Sequence, residues 1–167
     1  YGTDVSGLEE TALRLCQARG LTLSAAESCT GGLIAKRLTD IPGASQTFLG
    51  GVVSYTNTVK QHVLGVPASL LETYGAVSAP VARAMAMGVR VLTGSDLALS
   101  VTGLAGPAGD DHGNPVGTVF TALSTPQGVF VRQLALGGDR ERIRTLSAHH
   151  ALDLLRRYLT DQMTGGE

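Results

Sequence analysis

Glu27-Ser28-Cys29-Thr30-Gly31-Gly32 is the stretch on which the reading of this chain turns. It directly follows an apolar run holding Leu21, Leu23, Ala25 and Ala26, and directly precedes a helical run holding Leu33, Ile34, Ala35 and Leu38. That order puts a serine and a threonine on a strand-to-helix turn, with glycines where the backbone must come close to something. Such a turn aims backbone N–H groups outward at the positive end of a helix dipole, where an anion or a developing oxyanion can be held. It can also expose a nucleophile.

On either side of this turn, helical and strand-like segments alternate. Upstream, Leu8, Ala12, Leu13, Leu15 and Cys16 recur near helical spacing from Ser6 to Arg19, with Ser6 and Glu9 placed as a capping box and Gly20 as the stop. The helix after the turn is expected over residues 31–39, followed by the Pro42-Gly43 turn. Phe48 to Tyr55 reads as a strand with a glycine pair. Thr56 or Asn57 would cap a short helix carrying Lys60, and a second short helix follows Pro67. Ser78 is expected to cap a longer helix with Pro80 in its first turn. Asp96 to Thr102 is strand-like and runs into a second glycine-rich loop, Gly103 to Pro115. Residues 117–124 and 129–136 pair as a hairpin across Pro126-Gln127-Gly128, and a last helix spans about 139–159.

This alternation predicts an α/β chain: one three-layer α/β/α domain over residues 1–167, with a mixed, mostly parallel sheet. Both glycine-rich loops follow strands, so both belong at the carboxyl edge of the sheet, where open α/β sheets bind ligands.

Composition narrows the function classes. With 167 residues, 43% of them hydrophobic and 16% charged, the chain can bury a core and is not of disordered type. A formal net charge of −1 gives no electrostatic footprint for nucleic acid, so a small polar ligand is the expected partner and direct nucleic-acid binding is not. No apolar stretch approaches a membrane span and two cysteines make no disulfide framework, so a cytoplasmic protein is expected.

Each candidate group has a plain structural reading beside the chemical one. Ser28 is a nucleophile or a helix cap, serine being among the preferred caps. A nucleophilic serine needs a base, and neither a G-x-S-x-G elbow nor an S-x-x-K motif is present. Lys60 is a candidate base, since a lysine partly desolvated at a strand end has a lowered pKa; the alternative is a solvated helix lysine. Cys29, a thiol near a helix start, ranks below Ser28. Asp110-Asp111-His112 with Asn114 fits neither a calcium loop nor a zinc site, so no metal is expected. Arg140, Arg142 and Arg144 open the last helix against its dipole, a placement that makes sense beside an anion.

Taken together, the motifs resemble the CinA carboxy-terminal domain family, whose stand-alone PncC-type members are nicotinamide mononucleotide deamidases. The matching stretches are Ala26–Gly32, Thr39–Gly43, Gly51–Asn57 with Lys60, Gly75–Ser78, Val101–Pro107, Pro115–Val119 and Gly138–Arg140. They cover nearly the whole chain in order. The opening Tyr1–Asp4 looks like the segment that joins this domain to the amino-terminal domain of full-length CinA proteins. Residues 1–5 are accordingly expected to be an interdomain linker, with an upstream domain in the longer protein.

The resemblance implies hydrolysis of the carboxamide of nicotinamide mononucleotide, without metal or cofactor, by a homodimer. It implies a Ser28 nucleophile, Lys60 as its base and Tyr55 relaying protons between them. Thr30, Gly31 and Gly32 would line the oxyanion end, with helix-start N–H groups as donors. Thr102, Gly103, Gly106 and Arg140, with Arg144 second, would hold phosphate and ribose. Thr102 stands where some relatives carry serine, and the Gly109–Asn114 loop looks shorter than in many relatives.

Overall fold

The computed structural model describes residues 7–163. Its elements run α1 (Leu8–Ala18), β1 (Leu23–Glu27), α2 (Leu33–Thr39), a 3-10 turn (Ala44–Gln46), β2 (Phe48–Val53), α3 (Asn57–His62), α4 (Ala68–Tyr74), α5 (Ala79–Thr93), β3 (Leu97–Gly103), β4 (Thr118–Thr125), β5 (Gly128–Ala135) and α6 (Arg140–Leu159).

The five strands form one sheet in the order β2-β1-β3-β4-β5. β1 pairs in parallel with both β2 and β3, while β4 runs antiparallel to β3 and to β5. Four of the five strands therefore point the same way. β4 and β5 are joined by a two-residue turn, Pro126-Gln127, with Thr125 opposite Gly128.

Alternation along the strands explains the three layers. Leu97, Leu99 and Val101 of β3, with Leu23 and Ala25 of β1, face α1, α2 and α6. Ala26 and Ala98 point the other way, onto Val81, Met85 and Val89 of α5. Phe120 and Ala122 of β4 meet Ala82 and Ala86 of the same helix. Strands covered on both sides are buried along their length, and β3 and β4 are so, their serines and threonines included.

Several local expectations are corrected. The N-cap of α1 is Gly7, and Glu9 instead pairs with Arg37 at 2.7 Å; Ser6 and the linker segment 1–5 lie outside the described residues. Ser78 occupies the N-cap position of α5, but its hydroxyl donates to Gly75 O at 2.8 Å rather than capping the helix. The helix after the serine turn begins at Leu33, because Gly31 and Gly32 have φ of +60° and +105° and so form the turn itself.

This topology fixes where a ligand can sit. The chain leaves β1 through α2 to β2, then returns across β1 through α3–α5 to β3 on the opposite face. The sheet thus has its topological switch point beside the carboxyl end of β1, where crevices open in such sheets. Ser28 is the next residue after that strand end.

Candidate active site

Ser28 is held by backbone on both sides. Its amide donates to Val101 O of β3 at 3.0 Å, and its carbonyl accepts from Gly31 at 3.0 Å. The residue is only 8% exposed. It does not cap α2, whose N-cap is Gly32. The carboxylate of Glu27 serves that end instead, accepting from the amides of Ile34 at 2.8 Å and Ala35 at 3.0 Å. The Ser28 hydroxyl is therefore free of the capping role that its sequence position suggested.

That capping also takes up most of the amides at the expected oxyanion site. The Gly31 amide goes to Ser28 O, the Leu33 amide to Thr30 O, and the next two amides to Glu27. An internal carboxylate already occupies the place where a helix start attracts negative charge.

Lys60 comes from α3, a helix capped by Thr56, whose hydroxyl accepts from Val59 N. It is 2% exposed, and its ammonium lies 2.9 Å from Ser28 Oγ and 2.7 Å from Ser54 O. Burial pushes its pKa down from the ordinary lysine value to about 8, opposed only by the Cys29 thiolate. Burial in turn pushes the Cys29 thiol up to about 11, so at neutral pH it offers Lys60 no negative charge. Among the described residues Lys60 has no carboxylate partner. Its proton is correspondingly loose, which suits a base.

Ser28 and Lys60 open into a cavity of about 290 Å³, also lined by Tyr55, Asn57, Thr102, Gly106 and Arg140. Arg140, at the start of α6, bridges two other walls: one arm donates to Gly106 O at 2.6 Å and the other to Tyr55 OH at 3.0 Å. Both Arg140 and Tyr55 are exposed, and Arg140 is the cationic group at the mouth. Tyr55 is accordingly a rim residue. Its hydroxyl accepts from Arg140, while Lys60 reaches Ser28 directly, without Tyr55 between them.

Three further candidates are engaged within the protein to different degrees. Thr102 spends its proton on Ala76 O at 2.8 Å, which ties the 75–78 loop to β3 and leaves the hydroxyl only acceptor capacity toward a ligand. Thr30 is fully buried, its hydroxyl without a hydrogen-bond partner, and it is not part of the cavity wall. Arg144 lies behind the serine loop, donating to Cys29 O at 2.9 Å and Thr30 O at 3.2 Å. It supports the loop and does not line the cavity.

Glycine is needed at three of these positions. A Cβ on Gly31 would sit 2.9 Å from the Arg144 guanidinium. One on Gly103 would sit 2.7 Å from Val119 Cγ2 and 3.2 Å from Cys29 Sγ. Gly106 has φ +98° in the loop that carries the carbonyl bound by Arg140.

The Asp110 carboxylate accepts from the amides of His112 and Asn114 and from the Asn114 side chain, which makes a closed turn. Among the described residues no group of three or more His, Cys, Asp or Glu side chains could hold a metal. No described helix is long and apolar enough to cross a membrane. A larger groove of about 700 Å³ runs along α5 past Val63, Met87 and Val91; it is apolar and holds no nucleophile.

Sequence reasoning missed Ser54, Asn57 and the capping role of Glu27. Ser54 and Asn57 belong to the Gly51–Asn57 stretch, and Glu27 immediately precedes Ser28, so proximity to the motifs was the available signal.

Comparison with known proteins agrees with this architecture. The family model for the CinA C-terminal domain matches residues 5–159. A putative competence-damage inducible protein of Caldanaerobacter subterraneus subsp. tengcongensis is 53% identical over 159 residues, covering 95% of this chain and 39% of that protein. A CinA-like protein of Desulfotalea psychrophila is 54% identical over the same length, covering 95% and 38%. The chain thus spans about two fifths of the length of these curated relatives.

Among solved structures, the competence damage-inducible protein A (ComA) of Klebsiella pneumoniae subsp. pneumoniae superposes with a TM-score of 0.90 at 34% identity, over 92% of this chain and 95% of that one. The competence/damage inducible protein CihA of Agrobacterium tumefaciens gives 0.85 at 39%, over 96% and 99%. On sequence and fold alike, the chain belongs to the CinA C-terminal domain family.

Proposed function

We propose that this domain is an amidohydrolase that deamidates nicotinamide mononucleotide to nicotinic acid mononucleotide and ammonia, by a Ser28–Lys60 mechanism. The observation that carries the reading is the 2.9 Å contact between Ser28 Oγ and a buried lysine with no carboxylate partner. With its pKa lowered to about 8, a useful fraction of Lys60 is neutral near physiological pH.

In the first half-reaction, neutral Lys60 takes the Ser28 proton as Oγ attacks the carboxamide carbon. Collapse of the tetrahedral adduct breaks the C–N bond, and Lys60 returns the proton to the leaving nitrogen, which departs as ammonia. In the second, Lys60 takes a proton from water as its oxygen attacks the ester. The acid leaves, and the proton returns to Ser28 Oγ.

Since α2 has no amides to spare, the oxyanion falls to loop amides around Cys29 and Ala105-Gly106, which line the same cavity. Arg140, the cation at its mouth, suits the substrate phosphate, to which arginine offers a bidentate, charge-assisted contact. Engaging a phosphate would exchange its present bonds to Gly106 O and Tyr55 OH.

The test is ammonia release by the purified chain, with and without nicotinamide mononucleotide. Release dependent on the mononucleotide supports the reading. Calorimetric binding of the mononucleotide with no ammonia formed would replace it with a nucleotide-binding, regulatory role.

A further inference from the structure

The catalytic reading leaves one fully buried polar side chain of the site unused. Ser54 lies just beyond β2 and is 0% exposed. Its amide donates to Glu27 O at 2.7 Å, continuing the β1–β2 ladder by one step. Its hydroxyl donates to the same carbonyl at 3.1 Å. Its own carbonyl accepts from Lys60 Nζ at 2.7 Å. Ser54 thus joins the residue immediately before the nucleophile to the amine of the base.

We propose that Ser54 is a positioning residue for Lys60: its hydroxyl locks the peptide whose carbonyl aims the lysine amine at Ser28. The inference rests on the Ser–Lys reading above. A neutral amine has two N–H donors and one lone pair. For Lys60 to act as a base, that lone pair must face the Ser28 hydroxyl. Pinning one N–H on Ser54 O restricts rotation about the terminal C–N bond and holds the lone pair toward Ser28. The ladder bond alone fixes Ser54 N; the hydroxyl bond adds a second anchor on Glu27 O, so the Ser54 peptide cannot tilt.

The same carbonyl favours the ammonium form, because a hydrogen bond to the charged state stabilises it. Besides Ser28 Oγ, which accepts from the same amine at 2.9 Å, other groups near Lys60 do little of this. Cys29 is un-ionised at neutral pH, the Glu27 carboxylate is spent on α2, and Tyr55 and Arg140 bond to each other at the rim.

The experiment compares wild type with Ser54→Ala and Ser54→Cys, the latter keeping a weak donor. The Lys60 side-chain nitrogen is titrated by NMR, alongside kcat and KM for the mononucleotide. If the Ser54 carbonyl is loosened, the ammonium loses its acceptor. The Lys60 midpoint should then fall by about half a unit or more in Ser54→Ala and by less in Ser54→Cys. kcat should drop about tenfold or more, with KM near the wild-type value.

A merely structural role would admit water and move the midpoint up, toward the ordinary lysine value. An upward or unchanged midpoint overturns the inference. The titration needs no turnover, so it decides the role of Ser54 even if wild type releases no ammonia, an outcome that would sink the deamidase reading alone. Should Ser54→Ala fail to fold, the Ser54→Cys midpoint carries the same decision.

Discussion

The Glu27 carboxylate accepts from the Ile34 amide at 2.8 Å, closing the start of α2 from inside the protein. A glutamate at the end of a buried strand thereby does what serine or threonine usually does at a helix start. Glu27 is 2% exposed, so its removal leaves one buried and one half-buried amide without partners. Glu27→Ala should cost about 2–4 kcal/mol, read from urea unfolding midpoints. A loss below about 0.5 kcal/mol would show that water replaces the carboxylate freely.

Arg140 and Arg144 stand one turn apart on α6 and should separate cleanly in kinetics. Arg140→Ala removes the cation at the cavity mouth, so KM for the mononucleotide should rise about 10- to 100-fold, with a small effect on stability. Arg144→Ala takes two bonds from the carbonyls of the serine loop. It should lower stability by about 1–3 kcal/mol and reduce kcat more than it raises KM. Steady-state kinetics on both variants, with thermal unfolding, check the pair.

The lowered pKa of Lys60 makes two pH predictions. Activity needs the neutral amine, so kcat/KM should rise with pH through an acid limb centred near 8. For stability, the folded-state value lies below the unfolded one of about 10.5, so between them the unfolded chain binds more protons. Stability should therefore rise as pH increases from about 8 to about 10.5, by roughly 3 kcal/mol at most, and stay flat below that window. Lys60→Met should abolish activity, raise the unfolding temperature near pH 7 by about 3 °C or more, and remove this rise. Differential scanning calorimetry across the pH range reads all of it.

Gly103 tests how tightly the second loop sets the first. A methyl there meets Val119, Thr118 O and Cys29 Sγ at once. Gly103→Ala should press on Cys29, the neighbour of the nucleophile, and cost about 1–3 kcal/mol of stability with a fall in kcat. Retained wild-type kcat would show that the loop gives without moving Ser28.

Local pattern was enough for the layers. Strands 97–103 and 118–125 are almost wholly buried, the second despite its Thr and Ser residues, and the Pro126-Gln127-Gly128 signal marked a hairpin whose turn closes one residue earlier, with Thr125 opposite Gly128. Cap identity was less legible, since Ser28 and Ser78 carry the right side chains for caps yet hydrogen-bond elsewhere or not at all as caps. Competing nearby partners decide that: Glu27 reaches seven residues ahead, and Gly75 O lies beside Ser78.

The nearness of Ser28 and Lys60 was not in the spacing. It follows from β2 lying beside β1, which returns α3 to the strand end that bears the serine. The motif put Arg140 ahead of Arg144, but it did not show what the second arginine does instead. They are four residues apart on one helix face, and only the depth of the serine loop sends the second one behind it.

The most direct measurement of the central claim is the rate of ammonia release from nicotinamide mononucleotide by folded Ser28→Ala beside wild type. The mechanism predicts a loss of about a thousandfold or more, because no other group at the site stands in for the attacking oxygen. A variant that keeps its fold and releases ammonia within about tenfold of wild type would contradict it.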